Sequence, residues 1–99
     1  MTWCINRLTA IGSKRQVQLF RKGTWATPLG ARHCELLETS PTRFACQFET
    51  QAPPLESLTE LSRRLPRLTL LLDYDGESRR IKGLAKANGG KLVHYRVVY

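Results

Sequence analysis

The chain has 99 residues and carries 16 Lys and Arg against 8 Asp and Glu, a formal net charge of +8. That length holds one domain, large enough to bury roughly two-thirds of its unfolded surface, and leaves no room for a second. No apolar run approaches the roughly 18 residues of a membrane span, and the opening residues lack the charged-then-apolar pattern of a secretory leader. The three cysteines, Cys4, Cys34 and Cys46, are odd in number and lack a C-x-x-C pair. They suit buried thiols in a reducing compartment rather than a disulfide framework, so a cytoplasmic protein is expected.

Trp3 to Ile11 reads as a first strand, with Cys4, Leu8 and Ala10 on one face and Trp3, Ile5 and Ile11 on the other. Apolar residues on both faces suit a central position. Gly12 breaks it, and Ser13 with Gln16 forms a capping box for a short helix in which Val17, Phe20 and Leu19 face the core. Arg21 and Lys22 suit its negative end and Gly23 its exit. Thr24 to Gly30, with Trp25 and Pro28, reads as a loop.

Ala31 to Thr39 is the next expected strand. A turn at Ser40-Pro41 folds it onto Phe44 to Glu49, placing Leu36 opposite Phe44 and Cys34 opposite Cys46. Phe44, Cys46 and Phe48 alternate as in a half-buried strand. Pro53-Pro54 then opens a helix, because proline fits a first helical turn, and Leu55, Leu58, Leu61 and Leu65 recur at helical spacing up to Pro66. Leu68 to Leu72 is a short apolar run read as a strand. Asp75-Gly76 is a two-residue hairpin signal, leading into a strand from Glu77 to Ala87, a turn at Asn88-Gly89-Gly90 and a last strand from Lys91 to Val98.

The order β-α-β-β-α-β followed by a hairpin predicts an α+β fold of the ferredoxin-like kind: an antiparallel sheet with two helices on one face. Residues 1–75 form its core and 76–99 a β-hairpin extension that covers the edge left by the Leu68 strand.

Enzymatic chemistry finds little support. Cys4, Cys34, Cys46, His33 and His94 have no zinc-type spacing, and Asp73, Asp75 and Glu77 lack the other ligands of a calcium loop. On a strand His33 and Cys34 point to opposite faces, which denies the thiol a neighbouring base. No glycine loop cradles a phosphate. The expectation is a non-enzyme without metal or cofactor.

What remains is charge. Between Gly76 and Tyr99 lie six basic residues, Arg79, Arg80, Lys82, Lys86, Lys91 and Arg96, and one acidic residue, Glu77. With a two-residue turn at Asp75-Gly76, Leu70 lies opposite Ile81, and Arg80, Lys82 and Lys86 occupy the open face. A two-residue loop at Asn88-Gly89 then pairs Lys82 with Tyr95 and Lys86 with Lys91, bringing Tyr95 and Tyr99 beside them. A slip by one residue brings Leu92, His94 and Arg96 there instead. The candidate binding residues are therefore Arg79, Arg80, Lys82, Lys86, Lys91, Tyr95 and Arg96. Cations with aromatic platforms can hold single-stranded nucleic acid, but the aromatic motif of the RNA-recognition module is absent.

Trp3-Cys4-Ile-Asn6-Arg-Leu8-Thr9-Ala-Ile-Gly12 resembles the W-C-x-N-x-L-x-V-x-G opening of the YubB-type ferredoxin-like proteins of phages, plasmids and integrative elements. Gly23-Thr24-Trp25 looks like a shortened form of their G-T-K-W segment. Phe48-Glu49-Thr50-Gln-Ala-Pro53-Pro54-Leu55 and the following Leu68 to Tyr74 are similar to their Pro-Pro turn and next strand. The resemblance implies a ferredoxin-like fold and a mobile-element origin and carries no agreed activity. Trp3, Asn6, Trp25 and Thr50 are expected to be structural, the polar pair satisfying backbone groups at bends.

Small size, a basic C-terminal region and this resemblance lead to an expectation of an interaction protein that inhibits a host nucleic-acid-handling defence complex, of anti-CRISPR or anti-restriction type. It would act as a monomer or weak homodimer on a protein or nucleoprotein partner. Direct DNA or RNA binding through the hairpin is the alternative.

Overall fold

The computed structural model describes residues 3–23, 29–76 and 80–99. Its elements are β1 (Cys4–Ile11), α1 (Lys14–Lys22), β2 (Arg32–Ser40), β3 (Arg43–Thr50), α2 (Leu55–Arg64), β4 (Thr69–Gly76), β5 (Ile81–Asn88) and β6 (Lys91–Val98). The six strands form one antiparallel sheet in the order β2-β3-β1-β4-β5-β6. As the two-faced apolar pattern of β1 requires, that strand is central and pairs with both β3 and β4.

Strict alternation decides the faces. Leu8 lies between Cys46 and Leu72, and Asn6 between Phe48 and Tyr74. All of these but Asn6 join Val17 and Phe20 of α1 and Leu58 and Leu61 of α2 in one buried cluster, so both helices cover the same face. Ser13 caps α1 by accepting from the Gln16 amide, and Gly23 closes it by donating to Leu19 and Phe20. Leu19, expected to face the core, is half exposed. Val17 and Phe20, three positions apart, already make the narrow apolar stripe of a nine-residue helix.

Three registers differ from the reading of the sequence. Bulges between Arg32 and Glu35 and between Leu36 and Glu38 shift β2, so Leu36 lies opposite Cys46 and Thr39 opposite Phe44. Cys34 is exposed, Cys46 is buried, and both are free thiols. Asp75-Gly76 is not the turn: both residues stay in β4, Gly76 pairs with Ile81, and Leu70 lies opposite Ala87. That glycine serves a close approach, since a Cβ there would stand 2.9 Å from Ile81 Cγ1 and 3.2 Å from Cys4 Sγ. The last loop is Gly89-Gly90, closed by Asn88 opposite Lys91. Both glycines have positive φ, 57° and 84°, as the tight turn that matches strand twist demands. Ser62 on α2 anchors this loop by accepting from the Gly90 amide at 2.9 Å.

Candidate interaction face on the open side of the sheet

Among the described residues no helix lies on the second face of the sheet. Register lines up three rows across it: Ala45, Thr9, Leu71, Lys86 and Val93; Gln47, Arg7, Asp73, Leu84 and Tyr95; and Glu49, Ile5, Asp75, Lys82 and Val97. The half built by β4, β5 and β6 is apolar at its centre. Leu84 is 60% exposed, Val97 62% and Tyr95 70%, with Leu71 and Val93 beside them. Leu71, Leu84, Val93 and Tyr95, together with Arg7, Asp73 and Lys86, line a shallow depression of about 500 Å3. Large contiguous exposed apolar patches are a mark of contact surfaces.

Lys86 lies inside the patch, between Leu71 and Val93, with Lys82 and Lys91 at its margins, and none of the three forms an ion pair among the described residues. Asp73 and Asp75 stand on the same face, opposite Arg7 and Ile5 of β1 and Leu84 and Lys82 of β5. The open face is therefore apolar with interleaved charge rather than uniformly cationic. A denser run of cations lies elsewhere: α1 exposes Lys14, Arg15, Arg21 and Lys22 and contains no acidic residue.

The candidate binding residues divide. Lys82, Lys86, Lys91 and Tyr95 share the open face, with Lys82 opposite Val97 and Lys86 opposite Val93. Of the two registers foreseen, the one with tyrosines is right about the face and two residues off in its partners. The displacement has a physical cause: the loop moved from Asn88-Gly89 to Gly89-Gly90, where the consecutive glycines take positive φ without strain. Arg80 precedes β5 with φ 55°. Arg79 lies outside the described residues, as does Trp25.

Arg96 belongs to the helix side, where its Nε–H donates to Tyr74 Oη at 3.4 Å. Tyr74 Oη is 2.7 Å from His94 Nε2. Burial, and after it the Arg96 guanidinium, hold the His94 imidazole below its usual 6.5. A neutral ring can thus accept the tyrosyl proton at Nε2.

Asn6 and Thr50 are buried. Asn6 Nδ2 donates to Thr50 Oγ1 at 2.8 Å and reaches the carbonyls of Cys4 and Phe48, while Thr50 donates to Ala52 O at 2.7 Å. The pair ties β1 to the Pro-Pro turn. Trp3 lies under the Arg32 guanidinium, 4.2 Å from ring centre to Cζ. Burial raises the Cys46 thiol to about 12, with Cys34 adding to the effect. Among the described residues no cluster of three His, Cys, Asp or Glu could hold a metal ion, and no helix is long and apolar enough to cross a membrane.

Leu71, Leu84, Val93 and Val97 were missed by a search for basic and aromatic residues. For Leu71 the signal was present in Leu70-Leu71-Leu72, where an apolar residue must fall on each face of any strand. Compared with protein-family models, curated proteins and solved structures, the chain matches none.

Proposed function

We propose that this chain is a small non-enzymatic binding protein whose open sheet face docks on a partner protein. The observation that supports this most is the exposed apolar strip of Leu71, Leu84, Val93, Tyr95 and Val97, set among lysines that form no ion pair among the described residues. Apolar and aromatic side chains are enriched at the centre of protein contacts. The order β2-β3-β1-β4 with two crossover helices supports reading β1 to β4 as a ferredoxin-like unit with β5 and β6 added to its edge. The resemblance of the Trp3 to Gly12 opening to YubB-type proteins extends the proposal to a mobile-element inhibitor of a host nucleic-acid-handling defence complex.

The test is recovery of a complex from host lysate by the tagged parent and by Leu84→Asp, each with and without nuclease. Leu84 is solvent-facing, so the substitution leaves folding intact. A complex that survives nuclease and is lost at least tenfold with Leu84→Asp supports docking through this face; one that ignores Leu84→Asp excludes it.

A second reading is direct DNA or RNA binding, favoured by Tyr95, 70% exposed, on a face that also carries Lys82 and Lys86. An exposed ring beside cations can stack a base while the lysines meet phosphates. Binding to a bare oligonucleotide that falls steeply with salt and disappears in Lys82→Glu/Lys86→Glu would establish it.

A further inference from the structure

The two edges of the sheet are unlike. At β2 two bulges interrupt the ladder, His33 takes a positive φ of 56°, and Glu38 and His33 are engaged with Arg43 and Glu49. Bulges and charge are the usual means of keeping an edge from pairing. The β6 edge carries Lys91 and Arg96 but has no bulge. It runs from Lys91 to Val98 in unbroken register with β5, contains no proline and no acidic residue, and exposes Val93, Tyr95, Val97 and Val98.

Its hydrogen-bonding direction is fixed by the turn. Asn88 and Lys91 close the Gly89-Gly90 loop, and the Tyr99 amide donates inward to Arg80 O at 2.7 Å. By alternation the backbone groups of residues 91, 93, 95, 97 and 99 face β5, and those of Leu92, His94, Arg96 and Val98 face outward. Only even-numbered residues can bond a neighbouring strand.

We infer that β6 is a dimerisation edge, on which a second copy of this chain pairs its own β6 antiparallel about a two-fold axis at Tyr95. A two-fold edge contact must match itself, and this register does. Tyr95 meets its own copy, and Val93 meets Val97 on the open face. Leu92 meets Val98 on the helix side, and His94 meets Arg96 there. Neighbouring registers are poorer: an axis at Arg96 sets two guanidinium groups opposite each other, and one at His94 sets Leu92 against Arg96 and Val97 against Lys91. In the chosen register every outward amide and carbonyl from Leu92 to Val98 finds a partner. The product is a continuous sheet of twelve strands, six from each copy, and it doubles the open-face apolar strip.

One strand edge with its flanking side chains lies at the small end of specific interfaces, below about 1,200 Å2. Association is therefore expected between about 1 μM and about 1 mM. The experiment uses the whole chain and four variants, with light scattering across that range. The parent should rise from 11.3 kDa toward twice that mass. Arg96→Pro, which removes an outward N–H and leaves the β5 ladder whole, should weaken association at least tenfold, while Arg96→Ala, which keeps the N–H, should not. Tyr95→Asp sets two carboxylates together on an exposed position and should also give a monomer, without relying on a proline. Tyr95→Cys in a Cys34→Ser background should form an interchain disulfide on mild oxidation. A parent that stays monomeric throughout overturns the inference, as does a dimer untouched by Arg96→Pro and Tyr95→Asp, or a dimer that Tyr95→Cys cannot lock. Because Leu84 lies on β5, away from the edge, loss of the dimer and loss of docking are separable.

Discussion

On the helix-covered face Leu8, Phe48, Leu70 and Leu72 are shut off from solvent, whereas on the open face of the same sheet Leu84 and Tyr95 are mostly exposed. The residue types overlap and differ only in which side of a pleat they occupy. What separates them is the cover provided by α1 and α2, whose Val17, Phe20, Leu58 and Leu61 complete the buried cluster. Apolar residues on the covered face have a folding role that accounts for them. Those on the open face are left without one, and that surplus is what directs attention to binding.

The sharpest way to break this contrast is a pair of truncations. Phe48→Ala should cost about 3–5 kcal/mol, since it empties a fully buried ring site, a large part of the 5–15 kcal/mol typical of a domain. Leu84→Ala should change stability by no more than about 0.5 kcal/mol. Urea denaturation of both variants measures the difference, and equal losses would mean that the open face is packed after all.

The next effect acts by overfilling instead of emptying. A Cβ at Gly83 would stand 2.3 Å from Tyr74 Cζ, because the tyrosine lies directly across the neighbouring β5 backbone. Gly83→Ala should destabilise by about 1–3 kcal/mol. In a Tyr74→Leu background the same alanine should cost less, and the coupling between the two measures the contact.

Much of this was legible in the residues, for reasons that differ by element. Ser13 with Gln16, and the leucines after Pro53-Pro54, are local signals, and α1 and α2 stand where those signals put them. The alternation in β3 and the two-faced β1 identified strand positions because burial follows the pleat. Registers were less legible. Asp75-Gly76 carries the composition of a hairpin turn, yet Gly76 is there to admit Ile81 and Cys4, a tertiary demand that no local pattern announces. The β2 bulges are hidden likewise, and they undid the pairing of Cys34 with Cys46. The charge pattern found Lys82, Lys86, Lys91 and Tyr95, but it could not show that Arg96 turns to the helix side, or that Asp73 and Asp75 share the lysines' face.

The smallest effect concerns the outer margin of the covered face, where packing gives way to hydrogen bonding. Tyr74 is fully buried, and its hydroxyl bonds His94 Nε2 while receiving the Arg96 Nε–H. Tyr74→Phe should cost about 0.5–1.5 kcal/mol, the net worth of one such bond. Acid should reach the same contact by another route. His94 is held below its usual 6.5, by burial first and Arg96 second, so between the folded value and 6.5 the unfolded chain binds more protons than the folded one. Stability should therefore be fully present above about 6.5 and decline as pH falls below it. Denaturation midpoints from pH 8 down to pH 5 measure this decline, and His94→Gln, which cannot titrate, should flatten it. A parent curve that stays level through that window, or that matches the glutamine variant, would mean that the imidazole is solvated at the sheet margin and that packing of the Tyr74 ring, rather than its hydroxyl, holds β6 to the covered face.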